Sequence, residues 1–147
     1  MPTRNCLIIS ITDFLTNESL ALDQPSLSPA CKLCDASIDS IEHVMVSCPA
    51  TSEVRSRLIP DLMNAVSQVQ PMCQILKNHP PPSILTQFIL DCTSFNLPDS
   101  ARIPMHNPGI STICKISRDW CFAVSRERSR LLKHLAQLKA KTTEAAF

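Results

Sequence analysis

Apolar residues in the C-terminal third recur every three or four positions, at Ile110, Cys114, Cys121, Val124, Leu131, Leu135 and Leu138, with polar residues between them. That period marks one face of a helix turned toward a core, and nothing that breaks a helix stands between Ile110 and about Lys139. The spacing predicts a long helix there. An earlier stretch, SEVRSRLIPDLMNAVSQVQ, repeats the pattern at Val54, Leu58, Leu62, Ala65, Val66 and Val69. It predicts a helix that starts near Thr51 or Ser52, is bent or restarted at Pro60, and is stopped by Pro71. His79 to Pro82 reads as an extended connector, and Ser83 as the cap of a short apolar helix, ILTQFILD. With Pro98, Pro104, Pro108 and Gly109, the stretch FNLPDSARIPMHNPG reads as a loop.

At the other end, the β-rich run CLIISI and the polar, proline-containing SLALDQPSLSPA form an irregular approach to residue 31. No internal repeat is present. The expected fold is mainly α: an irregular segment over 1–30, a small Cys3His knuckle over 31–49, amphipathic helices with Pro-rich loops over 50–141, ending in a basic helix, and a tail over 142–147.

Residues 31–49, CKLCDASIDSIEHVMVSCP, follow no helical period and carry chemistry instead. Cys31, Cys34, His43 and Cys48 stand as C-x2-C-x8-H-x4-C, the ligand set of a closed structural Zn2+ site. Two thiolates on a C-x2-C turn reach one ion at about 2.3 Å, and an imidazole nitrogen at about 2.0 Å. Asp39 and Glu42 form a D-x-x-E helix start, which puts His43 in the first turn of a short helix. On an ideal helix His43 and Cys48 would lie roughly 140° apart, so the turn has to unwind before Cys48, and Pro49 favours that ending. Two other readings stay open: a C-x-x-C redox pair, which lacks the surrounding βαβ pattern, and chance clustering of buried cysteines.

Composition narrows the choice. A chain of 147 residues with 44% apolar content can bury a modest core. Eight cysteines would suit a secreted disulfide framework, but the opening MPTRNCLIISITDFL only imitates a signal peptide, because Asp13 closes its apolar run early and no cleavage pattern follows. No apolar stretch approaches the roughly 20 residues that span a bilayer, so no membrane association and an intracellular, reducing setting are expected. There a tight Cys/His cluster holds metal, while Cys6, Cys73, Cys92, Cys114 and Cys121 serve as small apolar residues.

The cluster also resembles the zinc-binding segment that follows the reverse transcriptase domain of non-LTR (LINE-type) retrotransposons. That pattern is C-P-L-C, a polar spacer, E-H, three apolar residues and C-P, and here it stands as CKLC, DASIDSI, EH, VMVS and CP. Lys32 replaces the frequent proline, and Ser47 joins the spacer. Further on, FILDCTSFNL and ISRDWCFAVSRERSRLL resemble the tails of such proteins, so the likeness runs from about Cys31 to about Leu132. It implies a structural zinc and a nucleic-acid partner.

Catalysis is not expected. The chain has no tyrosine and no adjacent aspartates for a Tyr-x-Asp-Asp polymerase turn, and its single glycine excludes a P-loop or a G-x-S-x-G elbow. His79, His106 and His134 read as ordinary surface histidines. The charge is divided: residues 1–114 carry 6 Lys/Arg against 10 Asp/Glu, and 115–141 carry 8 against 2. Lys32, Arg118, Arg126, Arg128, Arg130 and Lys133 are therefore candidates to neutralise RNA or DNA phosphates, with Trp120 or Phe122 able to stack on an unpaired base. The alternatives are a solvated helix face with Trp120 in the core, a protein partner bound through apolar helix faces, and a retroelement relic without activity.

Overall fold

The computed structural model describes residues 16, 18, 22–24, 26–35, 38–76, 80–92 and 107–145. CLIISI, Cys6, His79, His106 and residues 95–106 of the expected loop lie outside them. Within the N-terminal segment, Glu18, Leu22 and Asp23 have helical backbone, and residues 26–30 are turn and irregular chain.

No strand occurs among the described residues. The α-helices are α1 (Ser52–Ser67), α2 (Gln70–Leu76), α3 (Pro82–Leu90) and α4 (Pro108–Glu144). A π-helical turn, His43–Ser47, and a 3-10 turn, Pro49–Thr51, lead into α1. The mainly helical class and the knuckle ahead of the helices stand as expected.

The prolines behave differently from their expected roles. α1 runs through Pro60 unbroken. Proline removes the bond to the carbonyl of Ser56, but both residues are exposed, so water can take that carbonyl. Pro71 stops nothing: α1 ends at Ser67, and Pro71 is the second residue of α2, in a first turn that needs no N–H from it. Pro82 likewise opens α3 behind Pro81, so Ser83 lies inside the helix and caps nothing.

α1 lies antiparallel along α4. Val69, just past the end of α1, sits against Gly109 in the first turn of α4, where an added Cβ would come 2.5 Å from Val69 Cγ2. At the other end, Arg130 is held above its ordinary pKa by its hydrogen bonds to Glu127 and, beyond them, by Glu53 in the first turn of α1. The only glycine of the chain thus stands where two helix ends meet too closely for a side chain. Asn107 caps α4 by accepting a 2.8 Å hydrogen bond from Gly109 N.

The core lies between these helices and the π turn. Met45, Leu62, Val66, Phe88, Ile113, Trp120 and Val124 are at most 2% exposed. Trp120 fills the centre, and its indole N–H donates to Met45 O at 3.0 Å, tying the π turn to α4. The apolar seam of α4 is buried at Ile110, Cys121 and Val124, half-buried at Cys114, Leu131 and Leu135, and exposed at Leu138. From Ala136 onward every residue of α4 is exposed, so the helix outruns the core that its first five turns help to form. Among the described residues no helix is long and apolar enough to cross a membrane.

Candidate metal centre

The four expected ligands come together. One ligand atom from each of Cys31, Cys34, His43 and Cys48 lies within 4.8 Å of the other three. Cys34 Sγ is 3.3 Å from His43 Nε2 and 4.0 Å from Cys48 Sγ. A tetrahedral ion about 2.3 Å from each sulfur holds sulfurs about 3.8 Å apart, so the cluster needs only small shifts to close on a metal.

Local backbone explains how the sequence gets there. The Cys31–Cys34 turn is closed by Asp35 N donating to Cys31 O at 2.9 Å, and Asp35 itself is left-handed at φ 56°. Aspartate tolerates that conformation better than most residues. His43 and Cys48 are joined by a π turn, in which Cys48 N donates to His43 O at 2.7 Å. A bond closing five residues later widens the turn and brings positions five apart toward one side, where an α-turn would splay them. Cys48 is then extended, at φ −61° and ψ 118°, and Pro49 follows. The expected unwinding before Cys48 is real, with the π turn as its means.

The D-x-x-E cap is not formed. Ser40 Oγ accepts the hydrogen bond from His43 N at 3.1 Å, and Asp39 is wholly buried and turned elsewhere. Its carboxylate receives a two-pronged bond from Arg128, at 2.6 Å from Nη2 and 3.0 Å from Nη1. The same Nη1 lies 3.9 Å from Cys31 Sγ. Arg128, expected among the phosphate-binding residues, is therefore withdrawn from solvent, because a buried carboxylate demands a buried cation.

Arg55 flanks the cluster too, donating to Thr51 Oγ1 at 2.6 Å. Burial lowers its pKa, and the negative form of Cys48 acts the other way. A divalent ion among three thiolates leaves one formal negative charge, and Asp39 adds a second. Arg55 and Arg128 supply two positive charges, so the filled site is electrically closed. Without a metal, burial pushes the Cys48 thiol up to about 11, with the neighbouring Cys31 and Cys34 adding to it. Burial lowers the pKa of His43 against the pull of Asp39, and Arg128 and Arg55 lower it further, keeping the imidazole neutral as a ligand must be.

The other cysteines divide as buried apolar groups and partly covered ones. Cys92 and Cys121 are buried, and burial raises their thiols to about 11 and about 12, which keeps them protonated. Cys73 and Cys114 are half-buried, and Cys114 is disulfide-bonded, not the free apolar thiol expected of it. His134 is exposed on α4.

Of the remaining candidates, Lys32 is exposed on the Cys31–Cys34 turn, and Arg118, Arg126 and Lys133 are exposed on α4. Arg130 is exposed but forked onto Glu127 at 2.6 and 2.8 Å. Sequence reasoning did not single out the Asp39–Arg128 pair or Arg55. Its signal was an arginine standing on an apolar stripe, four residues after Val124 and three before Leu131. Comparisons with protein-family models, with curated proteins and with solved structures found no match to this chain.

Proposed function

We propose that this chain is a non-catalytic module in which a structural zinc ion fixes a knuckle against a basic helix, and that the helix holds RNA or DNA. Cys3His is the donor set of closed zinc sites, and with four protein ligands no open position remains for an activated water. The reading agrees with the resemblance of residues 31–132 to the segment that follows retrotransposon reverse transcriptases. The observation that carries it is the coupling of cluster and helix: Arg128 of α4 touches both the Asp39 carboxylate and the Cys31 sulfur, so an ion that orders the knuckle also seats the helix.

Purified under reducing conditions, the protein should carry one zinc per chain by metal analysis. Cys34→Ser should release it, whereas Cys73→Ser and Cys92→Ser should not. Stoichiometric zinc in the Cys31→Ser, Cys34→Ser double variant would overturn the site. Binding to nucleic acid should weaken steeply as salt rises. Salt-insensitive binding to a protein, with none to nucleic acid, would favour an interaction module instead.

A further inference from the structure

One face of α4 is charged, unpaired and interrupted by a single aromatic. Lys115, Arg118, Phe122, Arg126 and Lys133 are all exposed, and at 100° per residue they fall within an arc of about 80°. They span roughly 27 Å of helix at 1.5 Å per residue. Among the described residues none of the four cations has an ion-pair partner, in contrast to Arg130 on Glu127 and Arg128 on Asp39. Asp119 borders the arc as its acidic neighbour.

Phe122 is 69% exposed, while Trp120, two residues away, is 1% exposed and spends its N–H on Met45 O. The two aromatics of the helix therefore have opposite fates, and only Phe122 offers its ring to a ligand. Phe122 is flanked along the helix by Arg118 and Arg126, about one turn away on either side. A protein interface would bury a cluster of apolar groups, yet Phe122 is the only large apolar side chain in the arc. One ring amid a row of cations matches a different chemistry: phosphates on the charges and an unpaired base on the ring.

We infer that this face of α4 is a track for single-stranded nucleic acid, with Phe122 as the stacking platform and Lys115, Arg118, Arg126 and Lys133 as the phosphate contacts. The inference rests on the reading of α4 as a nucleic-acid-binding helix, and adds the strand state and the residues. A duplex keeps its bases stacked on each other, so it can use the cations but not the ring.

The test is fluorescence anisotropy of the zinc-loaded full chain with a labelled single-stranded oligonucleotide and with the matching duplex, over a series of salt concentrations. Phe122→Ala should weaken single-strand binding roughly five- to a hundredfold, leave the salt slope and the duplex affinity unchanged, and be rescued by Phe122→Trp. The triple variant Arg118→Gln, Arg126→Gln, Lys133→Gln should flatten the log–log salt slope by about 0.7 per lost phosphate contact. All four positions are exposed, so zinc content and circular dichroism should stay as in the unaltered chain. If Phe122→Ala binds normally while the triple variant flattens the slope, or if duplex binds as tightly as single strand, the track is overturned and the basic helix stands. If polyglutamate competes as well as the oligonucleotide, the face is an acidic-protein site and the inference fails. If neither nucleic acid binds, the proposed function fails with it.

Discussion

Arg128 and Asp39 show how one contact can change the reading of a charged residue. Taken from the sequence, Arg128 is one of a row of basic residues, spaced two apart with Arg126 and Arg130. In the folded chain it is a core residue, because its helical position continues the buried line of Cys121 and Val124, and its partner carboxylate is wholly buried. Removing either member strands a charge in the interior, which costs about 3–5 kcal/mol. Arg128→Met and Asp39→Asn should each lower stability by that amount in denaturant titrations of the zinc-loaded chain. Their double variant should lose clearly less than the sum. A strictly additive double variant would mean that the pair is not coupled. The phosphate role expected of Arg128 predicts something else, a shallower salt slope with little change in stability, so one set of variants separates the two.

At the scale of elements, the sequence was most legible where burial follows a period. Leu62, Ala65, Val66 and Val69 of the first stretch, and Ile110, Cys121 and Val124 of the last, are buried as their spacing required. The four ligands were legible for another reason, since Cys and His at workable spacing have few other uses together. Prolines were read least well: a proline can end a helix or begin one by the same chemistry, and position alone does not say which, so Pro71, expected to stop a helix, stands in the first turn of α2. The π turn had no residue signature, only the conflict between four intervening residues and an α-helical period. The junction of α1 and α4 was also hidden, because a lone glycine in a proline-rich stretch reads as loop. Its reason is contact: a methyl group at Gly109 meets Val69 Cγ2 and Asn107 Oδ1, at 2.5 and 2.9 Å from the added carbon. Gly109→Ala should therefore destabilise the chain by about 1–3 kcal/mol despite the better helix propensity of alanine. A melting temperature raised by Gly109→Ala would show that the helix ends can part without loss. Gly109→Ala with Val69→Ala should recover part of the deficit, since the second change removes the obstructing methyl groups.

On the scale of the whole molecule, the knuckle and the helices share one core, so the metal should act on all of it. Met45 lies between His43 and Cys48, is wholly buried, and accepts the Trp120 hydrogen bond, while Cys31 touches Arg128. Structural zinc contributes on the order of 10 kcal/mol in small zinc peptides, as much as the entire stability of an ordinary domain. Chelation should therefore melt more than the ligand loop: the projecting end of α4, which has no core of its own beyond Leu135, should lose helicity as its anchor loosens. The pH dependence gives the same experiment a second reading. Cys92 and Cys121, raised by burial from 9.0 to about 11 and about 12, hold their protons more tightly when folded. Their contribution is fully present below pH 9 and is lost as pH rises toward 11–12, with or without metal. Cys48, raised to about 11 in the metal-free chain, adds to that loss only when no ion holds its thiolate. Thermal melts followed by circular dichroism at pH 7.5, 9 and 10.5, with zinc and with chelator, should show a gap between the two forms that widens above pH 9. Coincident melts at every pH would mean that the four side chains meet without holding a metal, and that the core alone sustains the fold.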